Sequence, residues 1–293
     1  MTVLSPCLWV AQLWRSFVSV LPLQTFLQDG VVCATTTEQG FAGIDVAVLV
    51  GARPRGPGML RKDLLVANAA IFKSQGEALA KYAAPSVRVL VVGNPCNTNA
   101  LITSTHANGI AADQISALTR LDQNRCTGMI ASKLGVAVRS VGGVIIWGNH
   151  SATQVPDASF ATVMQAGSAD VVGVASQVDS EWLSGDLVTA VQQRGKAVID
   201  KRGSSSAGSA ANSICDHLKD WFLGSDGRTV SMVVPSAGQY GVPDGLFVSL
   251  PVTCQGAWQY TVRDDVPMSD STKALFAATV EELQQERTAV LGQ

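Results

Sequence analysis

The centre of the chain holds side chains that could move a proton on an anionic substrate. His150 follows an apolar run at 141–147, and Asp122 and Arg125 are three residues apart in a predicted helix. A neutral imidazole can accept a proton, and an ionised carboxylate beside it stabilises the imidazolium. A guanidinium group can bind a carboxylate through two parallel hydrogen bonds. These residue types suit proton transfer on a substrate that bears a carboxylate.

The same residues also have structural interpretations. A lone histidine is more often structural than catalytic. Asp122 and Arg125 share one helix face and could form an exposed ion pair, with Asp122 completing a capping box that begins at Thr119. Taken without outside support, the sequence leaves both interpretations open.

The chain has two other histidines, and both are weaker candidates. His106 falls at a polar helix end, and His217 lies in a predicted helix close to Asp216 and Lys219. We interpret both as surface or capping residues. His150 is therefore the candidate proton acceptor.

A basic loop follows the second predicted strand. The segment 50–61 places Arg53, Arg55 and Arg61 among glycines and prolines. A loop that leaves the carboxyl end of a parallel strand can close over an anionic substrate and exclude water. The alternative is a solvated basic loop without a ligand.

The segment 91–99 is a second candidate for the site, because it joins a strand to a helix. Pro95 fixes the turn, and Asn97 or Thr98 could cap the helix. Asn94 could donate or accept a hydrogen bond with a ligand at the edge of the sheet.

The elements that must position these residues alternate between strands and helices. Strands are predicted at 31–34, 44–50, 87–92, 115–118, 141–147, 230–234, 246–250 and 258–262, and helices at about 60–82, 120–134, 181–200, 206–222 and 272–291. Continuous apolar strands joined by helices indicate a parallel sheet covered on both faces. We predict an α/β fold with a dinucleotide-binding type of domain at 1–118 and a mixed α+β catalytic domain at 119–293.

Composition restricts the possible partners. The chain has 293 residues, 21 basic and 23 acidic, which gives no positive field for nucleic acid or an anionic membrane. The partner is expected to be a small molecule or another protein. Six widely spaced cysteines without a Cys-x-x-Cys motif or metal-ligand spacing predict reduced, mostly buried thiols in the cytoplasm. The apolar stretch 1–27 is interrupted by Arg15 and Pro22, which favours a poorly structured segment over a signal or anchor.

Several motifs together resemble one enzyme family. The stretches Gly-Asn-Pro-x-Asn-Thr-Asn at 93–99, Leu-Thr-Arg-Leu-Asp-x-Asn-Arg at 118–125 and Ile-Ile-Trp-Gly-Asn-His-Ser at 145–151 are similar to signature segments of cytosolic-type malate dehydrogenases. Segments 58–65, 191–195 and 240–243 are similar as well. The resemblance runs from about residue 29 to the C-terminus at near-constant spacing.

The resemblance implies roles for particular residues. His150 is the expected proton acceptor and Asp122 its partner, with Arg125, Arg61 and Arg55 holding the substrate. The residues expected to approach the cofactor NAD are Gly51, Asn68, Gln75, Val92, Gly93 and Asn94, and Asn94 is expected to contact the substrate as well.

The resemblance also implies the kind of substrate and assembly. The expected substrate is a small dicarboxylate, malate or oxaloacetate, because Arg61 supplies a counter-charge for a second carboxylate that relatives acting on lactate do not need. A homodimer in the cytoplasm is also implied.

The N-terminal part departs from the family pattern. Residues 1–28 contain no glycine, so the glycine-rich turn and its strand-helix-strand unit are not recognisable. We therefore expect an N-terminally incomplete Rossmann-like sheet in a truncated or alternatively started product, with impaired NAD binding. The alternatives are a catalytically inactive remnant that acts as a binding or subunit partner, a dehydrogenase for another 2-hydroxy acid, and a form directed to a membrane or secreted by its first residues.

Overall fold

A computed structural model describes residues 2–4, 31–53, 61–164 and 170–292 of the chain. The strands are Thr2–Leu4 (β1), Val31–Cys33 (β2), Val46–Leu49 (β3), Arg88–Val91 (β4), Ile115–Ala117 (β5), Val141–Gly142 (β6), Ile145–Trp147 (β7), Val155–Asp157 (β8), Thr162–Met164 (β9), Val171–Gly173 (β10), Val230–Pro235 (β11), Phe247–Gly256 (β12) and Gln259–Val262 (β13). The α-helices are Thr37–Phe41 (α1), Arg61–Tyr82 (α2), Cys96–His106 (α3), Arg120–Leu134 (α4), Leu187–Arg202 (α5), Gly208–Leu223 (α6) and Asp270–Leu291 (α7).

The main sheet has six strands in the order β13-β12-β11-β5-β4-β3. β3, β4 and β5 are parallel, and β11, β12 and β13 add to β5 as antiparallel strands. The predicted α/β class is confirmed, a parallel sheet followed by a mixed α+β part. Because β5 pairs with β11, one sheet crosses residue 118, and the domain boundary there stays a prediction.

β3 is the outermost strand at one side of this sheet. Among the described residues, β3 pairs with β4 and with no other strand. β1 and β2 form a separate parallel pair. The predicted absence of a glycine-rich turn concerns residues 1–28, and of these only 2–4 belong to the described part of the chain.

The predicted strand at 44–50 is shorter than expected. It spans Val46–Leu49, where only Ala47 and Leu49 are buried, and Val50 is 57 % exposed, so the prediction of a fully buried strand was wrong. Val50 instead begins the loop that leaves the sheet. Apolar character alone does not show where a ladder of hydrogen bonds stops.

The predicted single strand at 141–147 was also wrong, because Gly143 divides it. Gly143 has φ +72°, and a Cβ there would lie 2.5 Å from the carbonyl oxygen of Phe160. The chain turns at this point, so β6 pairs with β9 and β7 pairs with β8. Strands β8, β9 and β10 were not predicted.

The other helices and strands differ less from the prediction. α4 has the predicted bounds and ends before Gly135. A π-helical turn at Trp182–Asp186 precedes α5, where the sequence predicted a helix from 181. β12 extends to Gly256, beyond the predicted end at 250.

Three apolar cores hold these elements together. The first lies around the parallel strands, the second around Trp147 and Trp221, and the third between α4, β6, β9 and α5. Side chains that are completely or almost completely buried in them are Phe72, Leu79, Trp147, Trp221, Met232, Ile130 and Leu187. Burial on this scale is the main free-energy term that favours the fold.

Cysteine chemistry in the described part agrees with the expectation of free thiols. The five cysteines described are unpaired, and Cys96, Cys126 and Cys254 are buried. Burial raises the pKa of Cys126 to about 12, which keeps this thiol protonated. Among the described residues, none of the helices combines the length and apolar character needed to cross a bilayer.

His217 was predicted to be a surface or capping residue, and that was wrong. It is completely buried in α6, with Nε2 3.2 Å from Ser116 Oγ on β5. Burial and the nearby charge of Arg120 lower the pKa of His217 to about 3. The imidazole is therefore neutral in the folded protein at ordinary pH.

This burial predicts a loss of stability in acid. The unfolded chain protonates His217 below about pH 6.5, whereas the folded chain does not until about pH 3. The contribution of neutral His217 to the free energy of unfolding is complete above pH 6.5. Below that pH it decreases by about 1.4 kcal/mol per pH unit. Urea unfolding between pH 4 and pH 7 should show a steeper loss for wild type than for His217→Gln. The same slope in both proteins would contradict the assignment, and His106→Gln is the control.

Candidate active site

The carboxyl ends of the parallel strands meet at one edge and form the floor of the candidate site. The amides of Val92 and Gly93 both donate to the Leu49 carbonyl, at 2.9 and 3.0 Å. The Leu118 amide donates to the Val91 carbonyl at 3.0 Å. The turns after β3, β4 and β5 are thereby held side by side, as expected for a ligand site at the edge of an open α/β sheet.

Asp122 lies in the first turn of α4, directly after β5. Its side chain is 0 % exposed, and the capping box expected with Thr119 does not form. Thr119 Oγ1 lies instead 2.8 Å from Ser249 Oγ. The exposed ion pair proposed as an alternative is therefore wrong, and the Asp122 carboxylate is directed into the protein.

His150 is presented by a tight turn after β7. Gly148 has φ +88°, and a Cβ there would lie 2.1 Å from Thr279 Cγ2, so only glycine fits against α7. The next residue, Asn149, donates from Nδ2 to Glu282 at 2.9 Å and to Glu286 at 3.3 Å. α7 thus fixes the turn that carries His150.

The structure brings His150, Asp122 and Arg125 into one cluster. His150 Nδ1 is hydrogen-bonded to Asp122 Oδ2, and Arg125 Nη1 lies 3.3 Å from Asp122 Oδ1. Arg125 Nη2 also donates to Ser206 at 3.3 Å. With Nδ1 occupied, Nε2 is the atom of His150 left for a substrate, and the side chain is 17 % exposed.

Two opposing effects act on the pKa of His150. Burial lowers it, and the positive charge of Arg125 acts in the same direction. The negative charge of Asp122 and the hydrogen bond to it outweigh these effects, so the pKa of His150 is raised from its ordinary value. The pair can therefore hold a proton that an isolated buried imidazole would release.

Asn68 is hydrogen-bonded to the carbonyl of Asn94, but the two asparagines differ in accessibility. Asn94 is exposed at the carboxyl end of β4, where a ligand can reach it. Asn68 is completely buried, and its side-chain amide is occupied. Oδ1 accepts from the Arg53 amide at 2.7 Å, and Nδ2 lies 3.3 Å from the carbonyls of Arg53 and Asn94. In this structure Asn68 holds the base of the basic loop.

The remaining residues predicted to approach the cofactor are Gly51, Val92 and Gly93 at this edge and Gln75 in α2. Gly51 is exposed after β3, Val92 is half-buried, and Gly93 is buried against Ala52. Gln75 Oε1 is a buried acceptor without a hydrogen-bond partner among the described residues. Gly51 and Val92 are accessible to a ligand at the sheet edge, whereas the part of α2 that holds Gln75 packs against the end of α3 at His106.

Two of the predicted arginines cannot be placed. Arg55 lies outside the described residues, and Arg61 is described only as the first residue of α2, without its side chain. Their expected contacts with substrate therefore stay predictions.

Sequence reasoning missed one residue of this region. Asn97 and Thr98 were expected as possible helix caps, but both lie inside α3 and neither caps it. Asn97 Oδ1 accepts from the His150 amide at 3.0 Å. The sequence does contain one signal for this role. The polar run at 97–99 lies in the first turn of α3, whose first residues are buried.

A separate cleft of about 630 Å³ lies on another face of α4. It is lined by Gln123, Asn124 and Thr127, which helical spacing directs away from Asp122 and Arg125. This cleft is therefore not part of the candidate site.

Two family models match almost the whole chain. The lactate/malate dehydrogenase NAD binding domain matches residues 20–116, and the lactate/malate dehydrogenase alpha/beta C-terminal domain matches residues 119–292. The cytoplasmic malate dehydrogenase of Caenorhabditis elegans is 49 % identical over 263 residues, which are 89 % of this chain and 78 % of that protein. That of Zea mays is 48 % identical over 264 residues, 89 % of this chain and 79 % of that protein.

Solved structures agree with these matches. A malate dehydrogenase of Naegleria fowleri is 40 % identical with a TM-score of 0.90, over 98 % of this chain and 87 % of that one. A Trichomonas vaginalis lactate dehydrogenase in complex with NADH and oxamate is 32 % identical with a TM-score of 0.89, over 96 % and 85 % of the two chains.

Fold, site and matches together define a class, the oxidoreductases with an NAD-binding domain and an α/β C-terminal domain. Within that class, the chain belongs to the lactate/malate dehydrogenase family.

The His150–Asp122 contact predicts how the imidazole titrates. Asp122→Asn removes the negative charge but keeps the shape, so burial and Arg125 should dominate and the pKa of His150 should fall below its wild-type value. In wild type, the raised pKa stabilises the folded protein below the unfolded value near 6.5, and this contribution is lost as the pH rises through the folded value.

NMR titration of the three histidines measures the shift directly. The control Asp216→Asn removes a carboxylate that bonds to Asn124 and Asn212, and it should leave His150 unchanged. An unchanged pKa of His150 in Asp122→Asn would show that Asp122 is not its electrostatic partner.

Proposed function

We propose that this protein is an NAD-dependent malate dehydrogenase that interconverts malate and oxaloacetate. The observation that carries the proposal is the hydrogen-bonded pair of His150 and the buried Asp122, next to Arg125. Support also comes from relatives named malate dehydrogenase that are 48–50 % identical over most of the chain.

Proton transfer is the step assigned to His150. In oxidation, neutral Nε2 accepts the proton of the malate hydroxyl, because Nδ1 is bonded to Asp122. The resulting imidazolium is stabilised by the Asp122 carboxylate. In the reverse direction the imidazolium returns this proton to the oxygen of the oxaloacetate carbonyl. NAD, when bound, supplies the hydride acceptor that this chemistry requires.

Substrate binding is assigned to the arginines and Asn94. Arg125 lies beside the proton acceptor and can bind one carboxylate through its planar guanidinium. Arg61 and Arg55 would bind the second carboxylate and cover the site as the loop closes. Asn94, exposed at the end of β4, would hydrogen-bond the substrate oxygen.

Cofactor binding is assigned to the turns at the sheet edge. The residues that would contact NAD are Gly51, Val92, Gly93 and Asn94, with Gln75 as a further proposed partner. Asn68 would support the turn through its hydrogen bond to the Asn94 carbonyl. Supporting observations are the match to the family's NAD binding domain and the accessible positions of Gly51 and Val92.

Assembly and location belong to the same proposal. We propose a homodimer in the cytoplasm, as the resemblance implies. The compartment is also supported by the names of the Caenorhabditis elegans and Zea mays relatives, which are cytoplasmic malate dehydrogenases. Sedimentation velocity tests the dimer, and cell fractionation tests the compartment.

The activity itself is the first test. Purified protein with NADH and oxaloacetate should lose the absorbance of the reduced cofactor, and His150→Ala should lower kcat about 10²- to 10⁴-fold, the usual contribution of a general acid-base group. His106→Ala is the matched control, because His106 ends the helix that begins near the site. Equal rates for wild type and His150→Ala would remove the catalytic assignment.

Substrate choice is tested at Arg61. If Arg61 binds the second carboxylate of oxaloacetate, Arg61→Ala should lower kcat/KM for oxaloacetate roughly a hundredfold, since losing such a charge pair costs about 3 kcal/mol. Turnover of pyruvate, which has a single carboxylate, should not fall. If oxaloacetate turnover survives the substitution, the proposed dicarboxylate selectivity is wrong.

A further inference from the structure

Asn97 links two turns that the proposed reaction requires to stay in register. It is the second residue of α3, directly after the turn 93–95, and its side chain is completely buried. Nδ2 donates to the carbonyls of Gly148 at 3.2 Å and Phe247 at 3.0 Å. Oδ1 accepts from the backbone amide of His150 at 3.0 Å. One amide thus holds both ends of the Gly148–His150 turn.

Removing this amide would affect the turn more than a single lost hydrogen bond suggests. The Phe247 carbonyl and the His150 amide would lose the partner described for them, whereas the Gly148 carbonyl would keep the Ser249 amide at 2.9 Å. An unpaired buried polar group costs about 1–3 kcal/mol. The turn can relieve that cost by rotating a backbone group toward other partners. Such a rotation moves the imidazole, whereas the side-chain contact of Asp122 alone does not fix the backbone of His150.

We propose that Asn97 is a positioning residue for His150, which makes the turn after β4 a common support for the substrate-binding and proton-accepting groups. The catalytic consequence rests on the function proposed above. Asn97 touches neither substrate nor cofactor in this assignment. It acts through the backbone of His150.

The same turn also supports the basic loop. Asn68 Nδ2 donates to the Asn94 carbonyl and to the Arg53 carbonyl, both at 3.3 Å, and the Arg53 amide donates back to Asn68 at 2.7 Å. Hydrogen bonds therefore run from the base of the loop, through the turn 94–97, to His150. A displacement of this turn changes both sides of the site together.

Asn99 provides a matched control for a merely structural role. It is buried in the same helical turn, and its Nδ2 donates to the Gly93 carbonyl at 2.7 Å. None of the hydrogen bonds described for Asn99 reaches His150. Loss of Asn99 should destabilise the turn after β4, whereas loss of Asn97 should also displace the imidazole.

The test compares Asn97→Ala, the milder Asn97→Ser and the control Asn99→Ala in the full chain. NMR titration reports the pKa of His150, and steady-state kinetics give kcat and the KM for NADH. For Asn97→Ala we expect a lower pKa of His150, because the imidazole moves away from Asp122, and a kcat reduced ten- to a hundredfold, as for a misplaced catalytic group. KM for NADH should stay within about twofold. Asn97→Ser should lie between wild type and Asn97→Ala.

The outcomes separate this inference from the proposed function. Asn99→Ala should lower Tm and change the KM for NADH, because the turn it supports is assigned to the cofactor, but it should leave the pKa of His150 near its wild-type value. Equal shifts in Asn97→Ala and Asn99→Ala, or no shift in Asn97→Ala and Asn97→Ser, would overturn the positioning role. If wild type does not turn over oxaloacetate, the proposed function fails, while the NMR titration still decides the role of Asn97.

Discussion

The buried carboxylate of Asp122 is the constraint on which the rest of the site depends. An ionised group with no exposed surface is costly unless charges and hydrogen bonds compensate it. Here the compensation comes from His150, from Arg125 and from the first turn of α4, where the helix dipole favours negative charge. The carboxylate that raises the pKa of His150 therefore depends on the surrounding fold for its charge and hydrogen-bond partners.

The compensating groups come from distant parts of the sequence, so the sheet must bring them together. Asp122 follows β5, and His150 follows β7, whose end is bridged to β12 between Gly148 and Ser249. Ser249 also contacts Thr119, just before α4. The antiparallel strands that extend the parallel sheet thus hold both halves of the pair against each other. The mixed sheet therefore positions His150 against Asp122.

Local signals in the sequence predicted part of this arrangement correctly. The bounds of α4 follow from its own residues, and the parallel pairing of β3, β4 and β5 follows from apolar runs joined by helices. His150, Asp122 and Arg125 could be singled out because each type has an intrinsic chemistry. Their convergence was implied by the resemblance, since neither spacing nor composition determines that residues 122 and 150 meet.

Other features depend on contacts that spacing cannot reveal. Gly143 breaks the predicted strand at a point where the Phe160 carbonyl leaves no room for a side chain, and the buried His217 on α6 contacts Ser116 on β5. The hydrogen bonds of Asn97 reach Gly148, which is 51 positions further along the chain, and Phe247, which is 150 positions further along. An amide so far from its partners resembles a helix cap when only its neighbours are considered.

The last helix, α7, is the reason that the His150 turn can be both tight and polar. Gly148 removes the side chain where α7 passes, and Thr279 accepts a hydrogen bond from the Asn149 amide at 2.9 Å. Glu282 then accepts from Ser151 at 2.6 Å. A turn this polar would normally lie in water, but α7 supplies its hydrogen-bond partners inside the protein. His150 is consequently held through its own amide by α3, through its neighbours Asn149 and Ser151 by α7, and through its ring by α4, so that Nε2 is the atom left for chemistry.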